Sequence, residues 1–213
     1  MVRTGSRIAD IGTDHAYLPA YLILNEIIPY AIAADLKKGP LKNAEYTVKM
    51  YSVEDKIELR LSDGLEHINP SEVDDIVIAG MGGILISEIL SKAEWIKNSR
   101  FKLILQPQSH SENLRRFLFD NGFEIVEEKA CFEDKKVYIC LSAVYSGNIR
   151  NYNETELILG SFLNKSDKPS QAFIEKKLKR LRARRDALIA RETQLQEVAK
   201  LNKIITEAEE CLR

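Results

Sequence analysis

The stretch ADIGTDHAYLP, residues Ala9 to Pro19, determines the predicted fold. It begins inside a short apolar segment and passes through one glycine into a helical pattern. A strand, a tight loop and a helix in this order are typical of the first unit of a parallel α/β sheet. We therefore expect a strand over residues 7–11 and a helix over about 17–27.

The same alternation of apolar runs and amphipathic stretches continues to about residue 122. Further strands are predicted at residues 30–34, 57–61, 76–79 and 102–105, and helices at about 40–51, 84–97 and 109–121. Pro40 is expected at the first helical position, Ser109 and Glu112 as a capping box, and Gly122 after the last helix. Strands at 123–131 and 137–144 are joined by so few residues that they must be antiparallel. This order of elements predicts the α/β, Rossmann-like sheet of class I methyltransferases with a terminal antiparallel hairpin.

A polar, aperiodic segment at residues 146–153 is the predicted boundary between a domain of residues 1–150 and a helical domain of residues 151–213. Apolar residues of the second domain recur at coiled-coil spacings. The predicted seam comprises Phe173, Ile174, Leu178, Leu181, Leu188, Leu195, Val198, Leu201, Ile205 and Leu212. Because the seam loses register after Leu188, where Thr193 and Gln196 could form a capping box, we predict an antiparallel coiled-coil hairpin that turns near Arg191.

The charge of the chain is nearly balanced, with 31 Lys and Arg against 32 Asp and Glu among 213 residues. This balance argues against a uniformly basic nucleic-acid coat. Residues 175–191 nevertheless carry eight bases and two acids, while the rest carries 23 bases and 30 acids. A solvated helix face would explain this local +6, but an anionic partner is the favoured interpretation.

Other classes of protein are disfavoured by the composition. No run approaches the roughly 20 apolar residues of a membrane span, and the N-terminal residues do not resemble a signal peptide. We therefore expect a soluble, cytoplasmic protein that is a monomer or a weak dimer. The cysteines Cys131, Cys140 and Cys211 are too few and too dispersed for a disulfide framework or a zinc site, so no metal is expected.

Polar residues follow every predicted parallel strand, where ligands of open α/β sheets bind. Gly12 follows the first strand, but the G-x-G-x-x-G motif of dinucleotide sites is absent because Asp14 replaces its second glycine. A carboxylate there repels a diphosphate and tolerates a sulfonium, which favours S-adenosylmethionine. The remaining cofactor-binding candidates are Asp10 in the first strand and, at the other strand ends, Asp35, Asp63, Gly64, Gly80 and Met81.

Four stretches carry a specific resemblance: ADIGTDHAYLP, SDGL at residues 62–65, IAGMGG at 78–83 and LILQPQ at 103–108. Together with the helical tail, they resemble the bacterial tRNA adenine-22 N1-methyltransferase family, called TrmK. The resemblance implies S-adenosylmethionine-dependent methylation of adenine N1 in the tRNA D-arm, with Asp14 as the catalytic carboxylate. Two features depart from the family: only nine residues precede Asp10, and Gln108 replaces a common Asn.

Residues for the substrate are predicted from the same chemistry. An adenine turned outward needs a stacking partner, for which Tyr17, Met81 and His110 are candidates, and Gln108 is a candidate for an amide contact. Candidates for tRNA phosphate contacts are Lys176, Arg180, Arg184 and Arg185. Two other functions stay open: a methyltransferase for a small molecule or protein, and a catalytically silent interaction protein. Asp14 could instead cap the first helix.

Overall fold

The computed structural model describes residues 1–191 and 194–212. In this part of the chain, seven strands form one sheet in the order β3-β2-β1-β4-β5-β7-β6. Strands β1 to β5 are parallel, and β7 runs antiparallel to β5. The strands are β1 Ile8–Ile11, β2 Ala31–Asp35, β3 Ile57–Leu61, β4 Asp75–Gly82, β5 Lys102–Ser109, β6 Phe123–Glu133 and β7 Lys136–Tyr145.

Helices follow the parallel strands β1, β2, β4 and β5 and continue into the C-terminal region. They are α1 Tyr17–Leu24, α2 Lys38–Met50, α3 Gly83–Ser91, α4 Ser111–Asp120, α5 Glu154–Leu159, α6 Lys168–Ala190 and α7 Leu195–Glu210. Short 3-10 turns lie at Pro70–Glu72, Glu94–Ile96 and Gly160–Asn164. Among the described residues, every helix is too short or too polar to span a lipid bilayer.

The chain divides into two compact units. The first unit comprises Met1–Glu127 and Leu141–Arg150, and its core lies on the central parallel strands. All four residues of β1 are buried, as are the first four of β2, because these strands are covered on both faces. This burial explains why they read as continuous apolar runs and not as alternating ones.

Strands β4 and β5 are longer than the sequence predicts. The prediction placed Gly80 to Gly83 and Gln106 to Ser109 after these strands, but pairing continues to Gly82 opposite Ser109, with register shifts near Met81. A run of glycines and a proline weakens the strand signal, yet the two segments support each other by pairing. The following helix α3 ends at Ser91 and not near residue 97.

Two predictions of helix starts are wrong. Helix α4 begins at Ser111 after His110, which adopts a left-handed conformation, and no side-chain cap forms because Ser109 is still paired in β5. Helix α2 begins at Lys38, so Pro40 is the third helical residue, where its missing N–H is still unneeded. The predicted role of Gly122 is confirmed, since it has φ 76 and directly follows Asn121, the C-cap residue of α4.

The second unit comprises Glu128–Cys140, the distal part of the β6–β7 hairpin, together with residues 151–213. Its core includes Ile139, Phe162, Ile174, Leu201 and Ile205. Helices α6 and α7 form the predicted helical hairpin, but they also pack against the strand hairpin and the 3-10 turn that follows α5. Leu195 does not belong to the apolar seam, because it is 81% exposed at the start of α7. The predicted cap at Thr193 lies outside the described residues.

Candidate active site

The carboxyl ends of the five parallel strands lie along one edge of the sheet. Its strand order reverses between β1 and β4, since β2 and β3 lie on one side of β1 and β5 lies beyond β4. Such a reversal opens a crevice at the edge, and ligands of open α/β sheets bind there. The topology therefore brings the loops after β1 and β4 together and places the ends of β2, β3 and β5 beside them.

The first loop places a buried acid at this crevice. Asp10 is 7% exposed near the end of β1, and burial raises its pKa to about 6. The side chain of Thr13 opposes this rise, although its buried hydroxyl has no hydrogen-bond partner of acceptable geometry. The methyl group of Met81, from the end of β4, lies directly over Gly12, where a side chain would collide with it.

Asp14 is exposed and does not cap a helix. The residue that precedes α1 is Ala16, with φ 53 and no side-chain cap, so the capping interpretation of Asp14 is wrong. One Asp14 carboxylate oxygen lies 3.5 Å from Nε2 of His15, whose ring stacks on Tyr17 at a centroid distance of 5.0 Å and an interplanar angle of 4°. An accessible carboxylate therefore lies beside two stacked rings, of which Tyr17 is exposed and His15 is half-buried.

Two further acids lie at the ends of β2 and β3. Asp35 accepts a hydrogen bond from the backbone N–H of Lys37 at 2.7 Å, which fixes the turn after β2. Asp63 is exposed, and Lys92 lies 3.5 Å from its carboxylate. Gly64 follows with φ 57 and packs against Ile89, so its neighbour Asp63 is held in a tight turn.

The loop after β4 is shaped by glycines. Gly80 has φ 80, and a side chain there would enter open space, whereas a Cβ at Gly83 would lie 2.3 Å from the carbonyl oxygen of His110. Gly83 thus allows the start of α3 to approach the loop before α4. His110 itself is exposed, and its Nδ1 lies 3.8 Å from a Glu112 carboxylate oxygen.

Two glutamines at the end of β5 reach the same region. Gln106 accepts the backbone N–H of Gly80 at 2.9 Å and the side-chain amide of Gln108 at 3.3 Å through Oε1. Its Nε2 is buried without a hydrogen-bond partner. Together with the Thr13 hydroxyl, this amide accounts for two of the four buried polar side-chain atoms that lack a partner in the described residues.

The edge fits S-adenosylmethionine better than a dinucleotide. The acids at its strand ends disfavour a diphosphate and suit a cation, while Asp35 and Asp63 offer acceptors for hydroxyl or amino groups. The unpartnered Thr13 hydroxyl and the open space beside Gly80 are further features of a surface that receives a ligand. Among residues 1–191 and 194–212, no group of three or more metal-ligating side chains is placed to hold a metal ion.

Proteins similar to this chain are methyltransferases, which agrees with a site for S-adenosylmethionine at the carboxyl edge of the sheet. A family model described as "Methyltransferase domain" matches residues 1–141. The tRNA (adenine(22)-N(1))-methyltransferase of Bacillus subtilis is 37% identical over 168 residues, which are 77% of this chain and 71% of that protein. The chain belongs to the tRNA (adenine(22)-N(1))-methyltransferase family.

Solved structures of the tRNA (adenine(22)-N(1))-methyltransferase family support the fold over both units. The B. subtilis M1A22 tRNA methyltransferase TrmK superposes with a TM-score of 0.82 at 29% identity, covering 100% of this chain and 94% of that one. Streptococcus pneumoniae Sp1610, solved in complex with S-adenosyl-L-methionine, gives 0.83 at 31% identity, with coverages of 99% and 94%. The predicted class I methyltransferase fold and family are thus confirmed.

Sequence reasoning missed three residues of the edge. Thr13 and His15 lie within the quoted first loop but were not assigned to the site, and Gln106 was passed over in favour of Gln108. The available signal for Gln106 was its spacing of two from Gln108, since alternate residues of a strand share a face. Its contact with the Gly80 backbone could not be read from the sequence.

Several basic side chains of α6 already form ion pairs, which the sequence alone does not reveal. Arg182 pairs with Glu209 at 2.6 Å and Arg184 with Glu197 at 3.0 Å, so acids of α7 compensate bases that lack partners on their own helix. Arg185 pairs with the adjacent Asp186 at 2.7 Å. In the described part of the chain, Lys179 and Arg180 are exposed and form no ion pair, while Lys176 is exposed and lies 3.5 Å from the carbonyl of Val137.

Proposed function

We propose that this protein methylates N1 of an adenine in tRNA with S-adenosylmethionine as the methyl donor. The adenine is at position 22, as the name of the B. subtilis relative states for that enzyme. The observation that carries the proposal is the acidic carboxyl edge, with Asp10, Asp14, Asp35 and Asp63 at the ends of three neighbouring strands, in a chain of this family.

The cofactor-binding role belongs to the residues that line the strand ends. Asp10, Gly12 and Met81 border the crevice between β1 and β4, Gly80 leaves its mouth open, and the exposed Asp63 lies at the end of β3 beside Gly64. Asp35, at the end of β2, is in the position of an acceptor for ribose hydroxyls. The cofactor supplies a methyl group that its sulfonium makes electrophilic.

Asp14 is the proposed catalytic residue. The N1 lone pair of adenine lies in the ring plane and is itself the nucleophile, so activation by a base is not required before attack. Methylation leaves a positive charge on the ring, and a nearby carboxylate stabilises this charge or accepts a proton from N6. Asp14 is suited to this role because its carboxylate is 70% exposed and is not used as a helix cap.

The target adenine must leave its stack before N1 is accessible, at a cost of a few kcal/mol. The Tyr17 ring, already stacked on His15 and 60% exposed, is the proposed partner for the extruded base. Met81 and His110 line the same edge and are the alternative contacts. Gln108 is exposed at the end of β5 and completes the proposed substrate set.

The helical region of residues 151–213 is proposed to bind the tRNA backbone, while the catalytic domain spans residues 1–150. Lys176 and Arg180 are the primary phosphate contacts, because Arg184 and Arg185 already pair with acids. Arg184 and Arg185 contribute only when phosphate competes with those acids. The protein acts as a monomer or weak dimer in the cytoplasm, where its tRNA substrate is made in bacteria.

The decisive experiment uses unmodified tRNA transcripts and methyl-labelled S-adenosylmethionine, followed by nucleoside mapping. We expect 1-methyladenosine at position 22 and no transfer to a transcript with guanosine at that position. Label in protein or in a small molecule would instead support a different methyltransferase. Absence of cofactor binding in calorimetry would identify a catalytically silent interaction protein.

A further inference from the structure

The carboxamide of Gln106 has an unused hydrogen-bond donor at the carboxyl edge. Gln106 pairs with Ala79 across β4 and β5, one residue before Gly80. Its Oε1 accepts two hydrogen bonds, at 2.9 Å from the Gly80 backbone and at 3.3 Å from Gln108, whereas its Nε2 is buried and has none. A buried N–H without an acceptor destabilises a protein unless a ligand or water satisfies it.

The orientation of this carboxamide is fixed by the backbone. Turning the amide over would place its NH2 group against the N–H of Gly80, so that two donors would face each other. The contact with Gly80 therefore holds Oε1 toward β4 and leaves Nε2 as the group available to a ligand. The Gln106 carboxamide is thus held in one orientation, in which Nε2 is the donor.

We propose that Nε2 of Gln106 donates a hydrogen bond to N7 of the target adenine and orients this base in the active site. The inference rests on the proposed function and adds a residue that reads the substrate. N7 is the acceptor on the Hoogsteen edge of adenine and of guanine, so one donor there orients a purine. A bidentate glutamine contact would also accept from N6, but Oε1 of Gln106 already accepts from Gly80 and Gln108. Because N1 lies on the Watson–Crick edge, a base held through N7 leaves N1 open to the methyl donor.

Because Nε2 is buried, a base reaches it only after a neighbouring side chain moves, and we expect that side chain to be Gln108. Its exposed side chain rests against the Gln106 carboxamide through one hydrogen bond of 3.3 Å. Exposed side chains change rotamers on the picosecond to nanosecond scale, so Gln108 swings aside when the base enters. The Gly80 contact stays in place during this change, since its donor is a backbone N–H of β4 that does not move with the Gln108 side chain.

The test compares adenosine with 7-deazaadenosine, which keeps N1 and N6 but replaces N7 with a C–H group. A tRNA is assembled by ligation with 7-deazaadenosine only at the methylated position. We expect kcat/KM of the wild-type protein to fall by about 10- to 100-fold on this substrate, which is the range for loss of one base-edge contact. The Gln106→Glu variant at pH 8 keeps an acceptor for Gly80 but has no donor for N7. It loses a similar factor on adenosine and nothing further on 7-deazaadenosine.

Controls separate base reading from a structural role. S-adenosylmethionine affinity of Gln106→Glu stays at the wild-type value, and Gln106→Met provides a second variant if the glutamate form does not fold. Gln108→Ala retains the preference for adenosine over 7-deazaadenosine. Equal wild-type rates on the two substrates, discrimination that persists in both Gln106 variants, or loss of cofactor binding would overturn the inference. If the wild-type protein methylates no adenine N1 at all, the proposed function itself fails.

Discussion

At the scale of single residues, the burial of Asp10 makes the stability of the folded protein depend on pH. Its pKa in the folded protein is raised from 3.8 to about 6, so between these pH values the folded state binds a proton that the unfolded state has released. The contribution of Asp10 to the stability of the ligand-free protein therefore falls as pH rises from about 4 to 6 and stays lower above that range. A shift of this size corresponds to about 3 kcal/mol.

Asp10→Asn should remove this dependence, because the amide has no charge to bury. We expect the variant to be more stable than the wild type at pH 8, by up to about 3 kcal/mol, in urea unfolding without cofactor. Titration of Asp74 does not interfere with this measurement, since hydrogen bonding to Arg7 lowers its pKa to about 2, below the range of pH 4 to 8. Parallel stability curves for the two proteins between pH 4 and 8 would show that Asp10 is not the titrating group.

Asp14 should separate turnover from cofactor binding. Asp14→Asn keeps the size of the side chain but removes the charge that stabilises the methylated ring, so kcat should fall by about 100- to 1000-fold. Calorimetry should give a much smaller loss of S-adenosylmethionine affinity than of kcat, because the Asp14 carboxylate is exposed and its removal leaves the loop after β1 folded. As a control, Asp63→Asn should instead weaken cofactor binding. Wild-type turnover in Asp14→Asn would eliminate the catalytic assignment.

At the scale of elements, the loop after β4 offers a matched pair of glycines. Gly80 and Gly5 both have φ 80, and a Cβ at either would meet nothing within 4 Å. Replacement by alanine should cost each protein a similar backbone strain of about 1–2 kcal/mol. Gly5 precedes the amino end of β1, whereas Gly80 faces the crevice at the opposite edge.

Only Gly80→Ala is expected to weaken S-adenosylmethionine binding. Calorimetry measures the cofactor affinity, and thermal unfolding measures the stability of the same variants. Equal cofactor affinities in the two variants would place Gly80 outside the site.

The ends of β4 and β5 also mark the limit of what local sequence predicts. Apolar periodicity identified every parallel strand, because buried strands need continuous apolar residues. It could not extend β4 through Gly82 or β5 through Ser109, since these residues are held by each other and by Gly83 packing on the His110 carbonyl. The position of the acids along the carboxyl edge was predictable from their place after the strands. The unpaired Gln106 amide was not, because it results from a contact between two elements.

At the scale of the whole molecule, the basic segment of α6 illustrates the same limit. Its local charge was evident from the sequence, but the acids of α7 that neutralise part of it became evident only in the folded hairpin. If four to six bases contacted tRNA phosphates, the logarithm of the binding constant would fall with log salt at a slope of about −3 to −5. The ion pairs of Arg182, Arg184 and Arg185 favour the shallower end of this range.

Two arginines of α6 provide the test, because they point to different sides of the helix and differ in their partners. Arg180 is exposed without an ion pair in the described residues, whereas Arg182, roughly 200° around the helix, pairs with Glu209. Arg180→Glu should weaken tRNA binding and reduce the salt slope by about 1, with unchanged thermal stability and cofactor affinity. Arg182→Glu should lower thermal stability instead, because it places two acids together, and should affect tRNA binding less.

Filter binding over a range of salt concentrations measures the salt slope of tRNA binding for both variants. A larger loss of tRNA affinity in Arg182→Glu than in Arg180→Glu would mean that phosphate displaces the acids of α7, and that the paired face of the hairpin is the one that binds tRNA.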